Sequence, residues 1–306
     1  MRELCNVDGR VQPLERATVP VMDRGFLFGD SVYEVVRTHD GVPFAWPEHL
    51  ARLKSSAAAL RLDIGLPDDV LARRVRDTIE AARSDDGGEA YVRVIVTRGV
   101  GTAPSIDIGC APGPSRCLIL VRALPAAPIR PAKLALVERL RVDRRALDPA
   151  IKSGNYLNNV LALAEAKARG ADDCIMLNAA GHVTEASTAN LFVVTAGIVR
   201  TPPLSAGILA GVTRALVLDV CRLENIDALE QDLTPVDLRS ADQMFLSSTL
   251  RDVWPVAELD GHAVGGGKGL GETTTARIAD AMRDRISHAM RDVYAPAWEA
   301  ATAPPP

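Results

Sequence analysis

The chain has 306 residues, 24% charged and 47% apolar, with a formal net charge of −4 at pH 7. That is ordinary globular usage, enough for two modest domains with cores of their own, and it carries no basic surplus for nucleic acid. No apolar run approaches the roughly eighteen residues of a membrane span, and MRELCNVDGR lacks a signal-peptide core, so a soluble cytoplasmic protein is expected. Cys5, Cys110, Cys117, Cys174 and Cys221 are scattered without a CxxC or Cys/His cluster, which implies neither a disulfide framework nor a metal site.

Asp8-Gly9 and His39-Asp40-Gly41 lie between alternating apolar runs and predict two hairpins. After Pro47, EHLARLKSSAAALRL sets Leu50, Leu53, Ala57 and Leu60 on one helical face, and a second helix is expected from Pro67 to about Arg83. AYVRVIVTRG and CLILVRAL read as strands. Sheet with segregated helices is an α+β pattern, and it defines a small domain over residues 1–122. The proline-rich stretch 123–131 is expected to be an interdomain linker. A larger, mostly β domain with flanking helices then covers 132–295. Its expected elements are a strand at KLALVERLRV, a helix from Tyr156 to Arg169, strands at CIMLN and NLFVV, and a helix from Val212 to Leu223. A strand at QMFLSS, an Asp260-Gly261 hairpin and a last helix from Glu272 follow, and residues 296–306 are expected to fray.

GGGKGLGETTT (residues 265–275) invites a phosphate-loop reading, but Lys268 is followed by Gly269 rather than Ser or Thr and no βαβ unit surrounds it, so a flexible turn is expected. GxSxG is absent, and His39, His49, His182, His262 and His288 read as solvated or packing residues. The chain has only five lysines against thirty arginines. Lys152, read as lying between a strand and a helix, follows Arg139, Arg141, Arg144 and Arg145 closely in sequence. Nearby cations favour the neutral amine, which is the form that attacks carbonyls. Spacing alone favours an ordinary structural lysine.

DRGFLFGDSVYEVVR, EHLARL, PAIKSGNYLNNVLALAEA, HVTEASTANLFVV, PPLSAGILAGVTRA and MFLSSTLRDVWPV follow one another in this order. Together they resemble the fold-type-IV pyridoxal phosphate enzymes: branched-chain aminotransferases, D-amino-acid aminotransferases and aminodeoxychorismate lyases. The resemblance implies a small α/β N-terminal domain and a larger C-terminal one. It implies that Lys152 forms the Schiff base with pyridoxal 5'-phosphate and shuttles the proton between Cα and C4′. Glu185 is expected to pair with the pyridine nitrogen, keeping it protonated so that the ring can absorb electrons. Tyr156 is expected on the phenolic oxygen and Arg52 on the phosphate. Gly211, Val212 and Thr213 at a helix start, with Ser248 and Thr249, are expected to complete the phosphate cup.

Residues that differ among subfamilies carry the substrate. The Arg-x-His carboxylate trap of D-amino-acid aminotransferases is missing, since Ala103 and Ser105 stand in its place. Tyr91 and Arg93 instead match the Tyr-x-Arg pattern of branched-chain aminotransferases. Phe28 and Tyr33 are expected to line the side-chain pocket, with Thr188, Leu250 and Arg251 also on the substrate. The run from Ser248 to Asp252 departs from the GTAAE of typical branched-chain enzymes, and Arg251 either binds a carboxylate or points to solvent. The resemblance thus implies ping-pong transfer from a branched-chain or other hydrophobic L-amino acid to 2-oxoglutarate, with D-amino-acid transamination and the lyase reaction as alternatives. It also implies a homodimer whose neighbouring subunit lends a loop near Arg24 to Phe28.

Overall fold

The computed structural model describes residues 1–83, 87–128, 130–267 and 273–303. They form two compact units. The first comprises Met1–Ala126, Ile151–Asn155 and His288–Pro306, and the second Ala127–Ala150 and Tyr156–Ser287.

In the first unit β1 (Leu4–Val7) and β2 (Arg10–Pro13) are followed by a short helix α1 (Arg24–Phe28), β3 (Ser31–His39), β4 (Val42–Pro43), α2 (Trp46–Ala59), α3 (Asp68–Ala82), β5 (Ala90–Thr97) and β6 (Arg116–Ala123). The strands run β2-β1-β6-β5-β3-β4, every neighbouring pair antiparallel. Both predicted hairpins close through left-handed Asp-Gly pairs, with φ of 52° at Asp8 and 53° at Asp40. Pairing of Val32 with Val96, Glu34 with Val94 and Val36 with Val92 puts these residues on one face. There Leu53 and Ala57 of α2 and Leu71, Val75 and Ile79 of α3 close the core. Side chains alternate across a strand, so Tyr33, Tyr91 and Arg93 occupy the opposite face.

The second unit contains β7 (Ala132–Leu136), α4 (Leu157–Ala168), β8 (Asp173–Ile175), β9 (Asn190–Thr195), β10 (Ile198–Thr201), α5 (Val212–Leu223), β11 (Ala228–Glu230), α6 (Pro235–Arg239), β12 (Gln243–Ser248), β13 (Asp252–Leu259), β14 (His262–Ala263) and α7 (Thr274–Ala289). Its sheet runs β11-β10-β9-β12-β13-β7-β8, with β14 hairpinned onto β13. Leu134, Ile175, Leu191, Val193, Met244, Leu246 and Val256 share one core. Phe192 and Phe245, cross-strand neighbours, stack with centroids 4.8 Å apart. The expected α+β class is what the chain adopts. No described helix is long and apolar enough to cross a membrane.

Three local expectations change. The strand at KLALVERLRV stops at Leu136, because the charged Glu138 and Arg139 leave the sheet for solvent. The last helix is described from Thr274, and Lys268 and Glu272 of the glycine-rich stretch lie outside the described residues. Residues 295–302 are helix rather than frayed tail, forming α8 (Ala295–Thr302). Trp298 is 6% exposed and meets Trp46 edge to face with centroids 5.4 Å apart, while Arg76 donates to the Thr302 carbonyl. Composition points to fraying because the partners, on α2 and α3, are distant in sequence. Truncating a buried tryptophan to alanine costs about 3–5 kcal/mol. Trp298→Ala is therefore expected to lower the urea midpoint followed by circular dichroism, and an unchanged midpoint would show that α8 adds nothing to the first unit.

Candidate active site

In the first unit the segment around Lys152 is laid along β3. The Tyr33 N–H donates to the Lys152 carbonyl at 2.9 Å, Gly154 N–H to Ser31 O at 2.8 Å, and Lys152 N–H to Ser56 Oγ at 3.1 Å. A Cβ at Gly154 would lie 2.3 Å from Ser31 Oγ, so the close approach requires glycine. Lys152 does not directly follow a strand, as the sequence suggested, but is fixed by these backbone contacts. Its Nζ lies 3.5 Å from Tyr33 Oη and 4.4 Å from the Tyr33 ring centroid, and the Arg93 guanidinium lies 3.9 Å from the same centroid. Tyr33 thus anchors both an amine and a permanent cation. Tyr91, two residues before Arg93, is half-buried on the same face of β5.

Arg52 lies on the other side of β3. Helical spacing puts His49 and Arg52 on one face of α2, where both meet Glu34, a carboxylate 1% exposed. Arg52 Nε and Nη2 donate to Glu34 at 2.6 and 2.8 Å, and His49 Nδ1 is 2.7 Å from Glu34 Oε2. Burial pushes the Glu34 carboxyl up, but the hydrogen bonds and charges of Arg52 and His49 outweigh it and hold the group at about 2. Burial pushes His49 down, and its Nε2 has no hydrogen-bond partner among the described residues. The sequence reading assigned no role to Glu34 or His49. The available signal was a carboxylate within the apolar Val32, Val36 face opposite a His and an Arg three residues apart.

Phe28 belongs to a different lining, a cavity of about 250 Å³ with Arg24, Asp30, Leu60, Ile106, Ile108 and Asn155. Arg24 Nη1 and Nη2 gather the carbonyls of Ser105, Asp107 and Ile106, fixing the loop that carries Ala103 and Ser105.

In the second unit Glu185, 5% exposed, precedes β9. Its Oε1 accepts from Arg141 Nε and Nη2 at 3.1 and 2.9 Å, and its Oε2 from Asn190 Nδ2 and Leu209 N–H at 3.2 and 3.0 Å. Arg141, Arg144 and Arg145, named from sequence as cations a few residues upstream of Lys152, are each paired within this unit, with Glu185, Asp148 and Asp143. Tyr156 is the N-cap of α4. Exposed Thr188 follows Ser187, whose N–H donates to Asp173 Oδ1 at 3.0 Å and whose carbonyl accepts from Asn159 Nδ2 at 2.8 Å.

Gly211 caps α5 with no side chain bonded to the first turn, and a Cβ there would lie 2.0 Å from Asn190 Oδ1. Val212 opens the helix, and the Thr213 side chain is buried. A helix start without a side-chain cap presents N–H groups and a positive dipole end to an anion. Ser248 ends β12, Thr249 and Leu250 form the following turn, and buried Ser247 Oγ has no partner among the described residues. The Arg251 guanidinium lies 3.9 Å from Asp173 and 4.6 Å from the Trp254 ring centroid, so its charge is engaged inside the unit. Taken each by itself, the second unit offers a buried carboxylate, a helix start open to an anion and an orphan hydroxyl, and the first an amine on a fixed segment, which are the kinds of group that a pyridine nitrogen, a phosphate and an aldehyde would need.

Comparison with known proteins gives the family. The Amino-transferase class IV profile matches residues 31–259. A putative branched-chain-amino-acid aminotransferase from Methanocaldococcus jannaschii is 38% identical over 276 residues, 88% of this chain and 91% of that one. A D-alanine aminotransferase from Bacillus licheniformis is 32% identical, covering 87% and 91%. The crystal structure of a branched-chain aminotransferase from Thermoproteus uzoniensis with norvaline superposes with a TM-score of 0.85 at 29% identity, covering 96% and 97%. The chain belongs to the class IV aminotransferases and is an aminotransferase.

Proposed function

We propose that the protein transfers the amino group of a branched-chain or other hydrophobic L-amino acid to 2-oxoglutarate, by ping-pong chemistry on pyridoxal 5'-phosphate, the cofactor with which class IV aminotransferases work. The observation that carries the reading is the Tyr33 ring holding Lys152 Nζ and the Arg93 guanidinium together. An α-amino acid needs a cation for its carboxylate near the group that handles its Cα proton, and these two side chains supply that pair. The bound cofactor supplies the electron sink.

The chain's own residues do the rest. Lys152 would hold the cofactor through its amine and move the proton at Cα. Glu185 would pair with the ring nitrogen, and Tyr156 would donate to the phenolic oxygen. Arg52, the Gly211–Thr213 helix start, Ser248 and Thr249 would bind the phosphate. Arg93 and Tyr91 would orient the carboxylate, while Thr188, Leu250 and Arg251 would border the substrate; Phe28, which lines a separate cavity, is left out of this set. Exposed Val19, Val21, Phe26, Val100, Ile106 and Ile108 belong to two neighbouring stretches of the first unit and suit burial against a second copy, so we take the working form to be a homodimer. Amino transfer among D-amino acids is the second reading, favoured by the likeness to D-alanine aminotransferases.

Three outcomes are expected. Borohydride added to the protein with pyridoxal phosphate should attach the label to Lys152, and a tag elsewhere would remove the lysine from the chemistry. L-leucine should be converted faster than D-alanine with 2-oxoglutarate as acceptor, and the reverse order would install the second reading. Arg93→Ala should lower kcat/KM for the amino donor by roughly 100-fold, the loss of one charge-assisted contact of about 3 kcal/mol. Unchanged kinetics would place Arg93 outside the site.

A further inference from the structure

Arg141 is the residue whose geometry goes furthest beyond its assigned role. It is 8% exposed, and all three guanidinium nitrogens are committed. Nε and Nη2 converge on Glu185 Oε1, and Nη1 donates to Asn159 Oδ1 at 3.1 Å. Asn159 is held in turn by the Ser187 carbonyl, and the Arg141 backbone N–H donates to the Leu177 carbonyl at 2.8 Å. The guanidinium is therefore aimed at one carboxylate oxygen by contacts from three stretches of chain.

A carboxyl buried among neutral groups tends to keep its proton, because desolvation disfavours the charged form. If Glu185 were neutral, a ring nitrogen facing it would carry no proton and the ring would be a weaker electron sink. A guanidinium does not lose its own proton, and its field is strongest at the oxygen it touches. That field repels a proton from the carboxylate more than from a partner on the far oxygen. Oε2 is the oxygen able to exchange a donor, since Asn190 Nδ2 reaches it at 3.2 Å while also donating to the Leu209 carbonyl at 3.0 Å. The groups facing Glu185 include Arg141 from the loop after β7, Asn190 from β9 and the Leu209 backbone ahead of α5. Asp173 on β8 is turned to the Ser187 N–H and to Arg251.

We propose that Arg141 is a positioning residue that keeps Glu185 ionised, so that the proton shared with the cofactor's pyridine nitrogen stays on the ring. This rests on the pyridoxal phosphate reading above. The test loads wild type, Arg141→Met and Arg141→Lys with pyridoxal phosphate carrying ¹⁵N in the ring, and follows the ¹⁵N shift between about pH 6 and pH 9, the range flanking neutral ionisation. The wild-type nitrogen should stay protonated throughout. In Arg141→Met its midpoint should fall by about 2 units, a 100-fold change in the ratio of protonated to neutral ring at a given pH, with Arg141→Lys between the two. A ring that stays protonated in Arg141→Met overturns the proposal. Should Arg141→Met fail to fold by circular dichroism, Asn159→Ala, which loosens the guanidinium without removing it, is expected to give a smaller fall, and no fall there is equally fatal. Wild type that binds no cofactor, or a Glu185→Gln variant with the wild-type ring titration, would instead refute the cofactor reading itself.

Discussion

Three carboxylates that are buried or partly buried in this protein, Glu34, Asp30 and Glu185, are each met by an arginine fork. Burial of an isolated ion costs several kcal/mol, and the return comes from opposite charge together with filled lone pairs. Glu34 meets Arg52, Asp30 meets Arg24 and Arg98, and Glu185 meets Arg141. At Asp30, burial pushes the carboxyl up while hydrogen bonds from Arg98 and Arg24 pull it below its usual range. Such pairs add little net stability, yet losing one partner strands a buried charge at a cost of about 3–5 kcal/mol. What they contribute is geometry: each fork lets its carboxylate sit in few orientations.

That geometry is organised by the strand period. On β3 the residues Val32, Glu34 and Val36 turn toward the helices, and Tyr33 turns the other way. One strand therefore supplies both the carboxylate that holds Arg52 and the ring that gathers Lys152 and Arg93. A one-residue slip in register would exchange these faces and lose both sets, so the long β3–β5 pairing from Ser31 to Arg37 specifies the chemistry as well as the core. Gly154 supports the same arrangement, because a larger residue would push the Lys152 segment off β3.

Features written in a continuous run of residues are legible in the sequence alone. The Asp-Gly hairpins, the limits of α5 and the Lys152, Glu185 and Gly211 motifs depend on neighbouring residues, and periodicity or resemblance finds them. Features made by distant partners are not legible in this way. Arg141 reads only as one of several cations near Lys152 because its partner, Glu185, lies beyond α4 and β8. His49 reads as an ordinary packing residue because the strand carboxylate it meets comes before β4. Trp298 reads as part of a frayed end because Trp46, against which it packs, is near the other end of the chain. In each case the decisive term is tertiary pairing, which local sequence does not encode.

The scarcity of lysine takes on meaning against this background. An arginine is suited to holding a carboxylate because it keeps its proton and bonds through a planar fork, and for the same reasons it cannot form a Schiff base. Meeting Glu34, Asp30 and Glu185 with arginine leaves these guanidinium groups to fix charge and direction, a task distinct from the amine chemistry proposed for Lys152. Arg93 and Lys152 show the division on a single ring, the first a cation that remains one and the second a group able to give up its proton and bond to carbon. Exchanging their identities would conserve formal charge in the first unit while removing both of the roles proposed for them. Constancy of charge therefore explains less about this site than the kind of cation placed at each point.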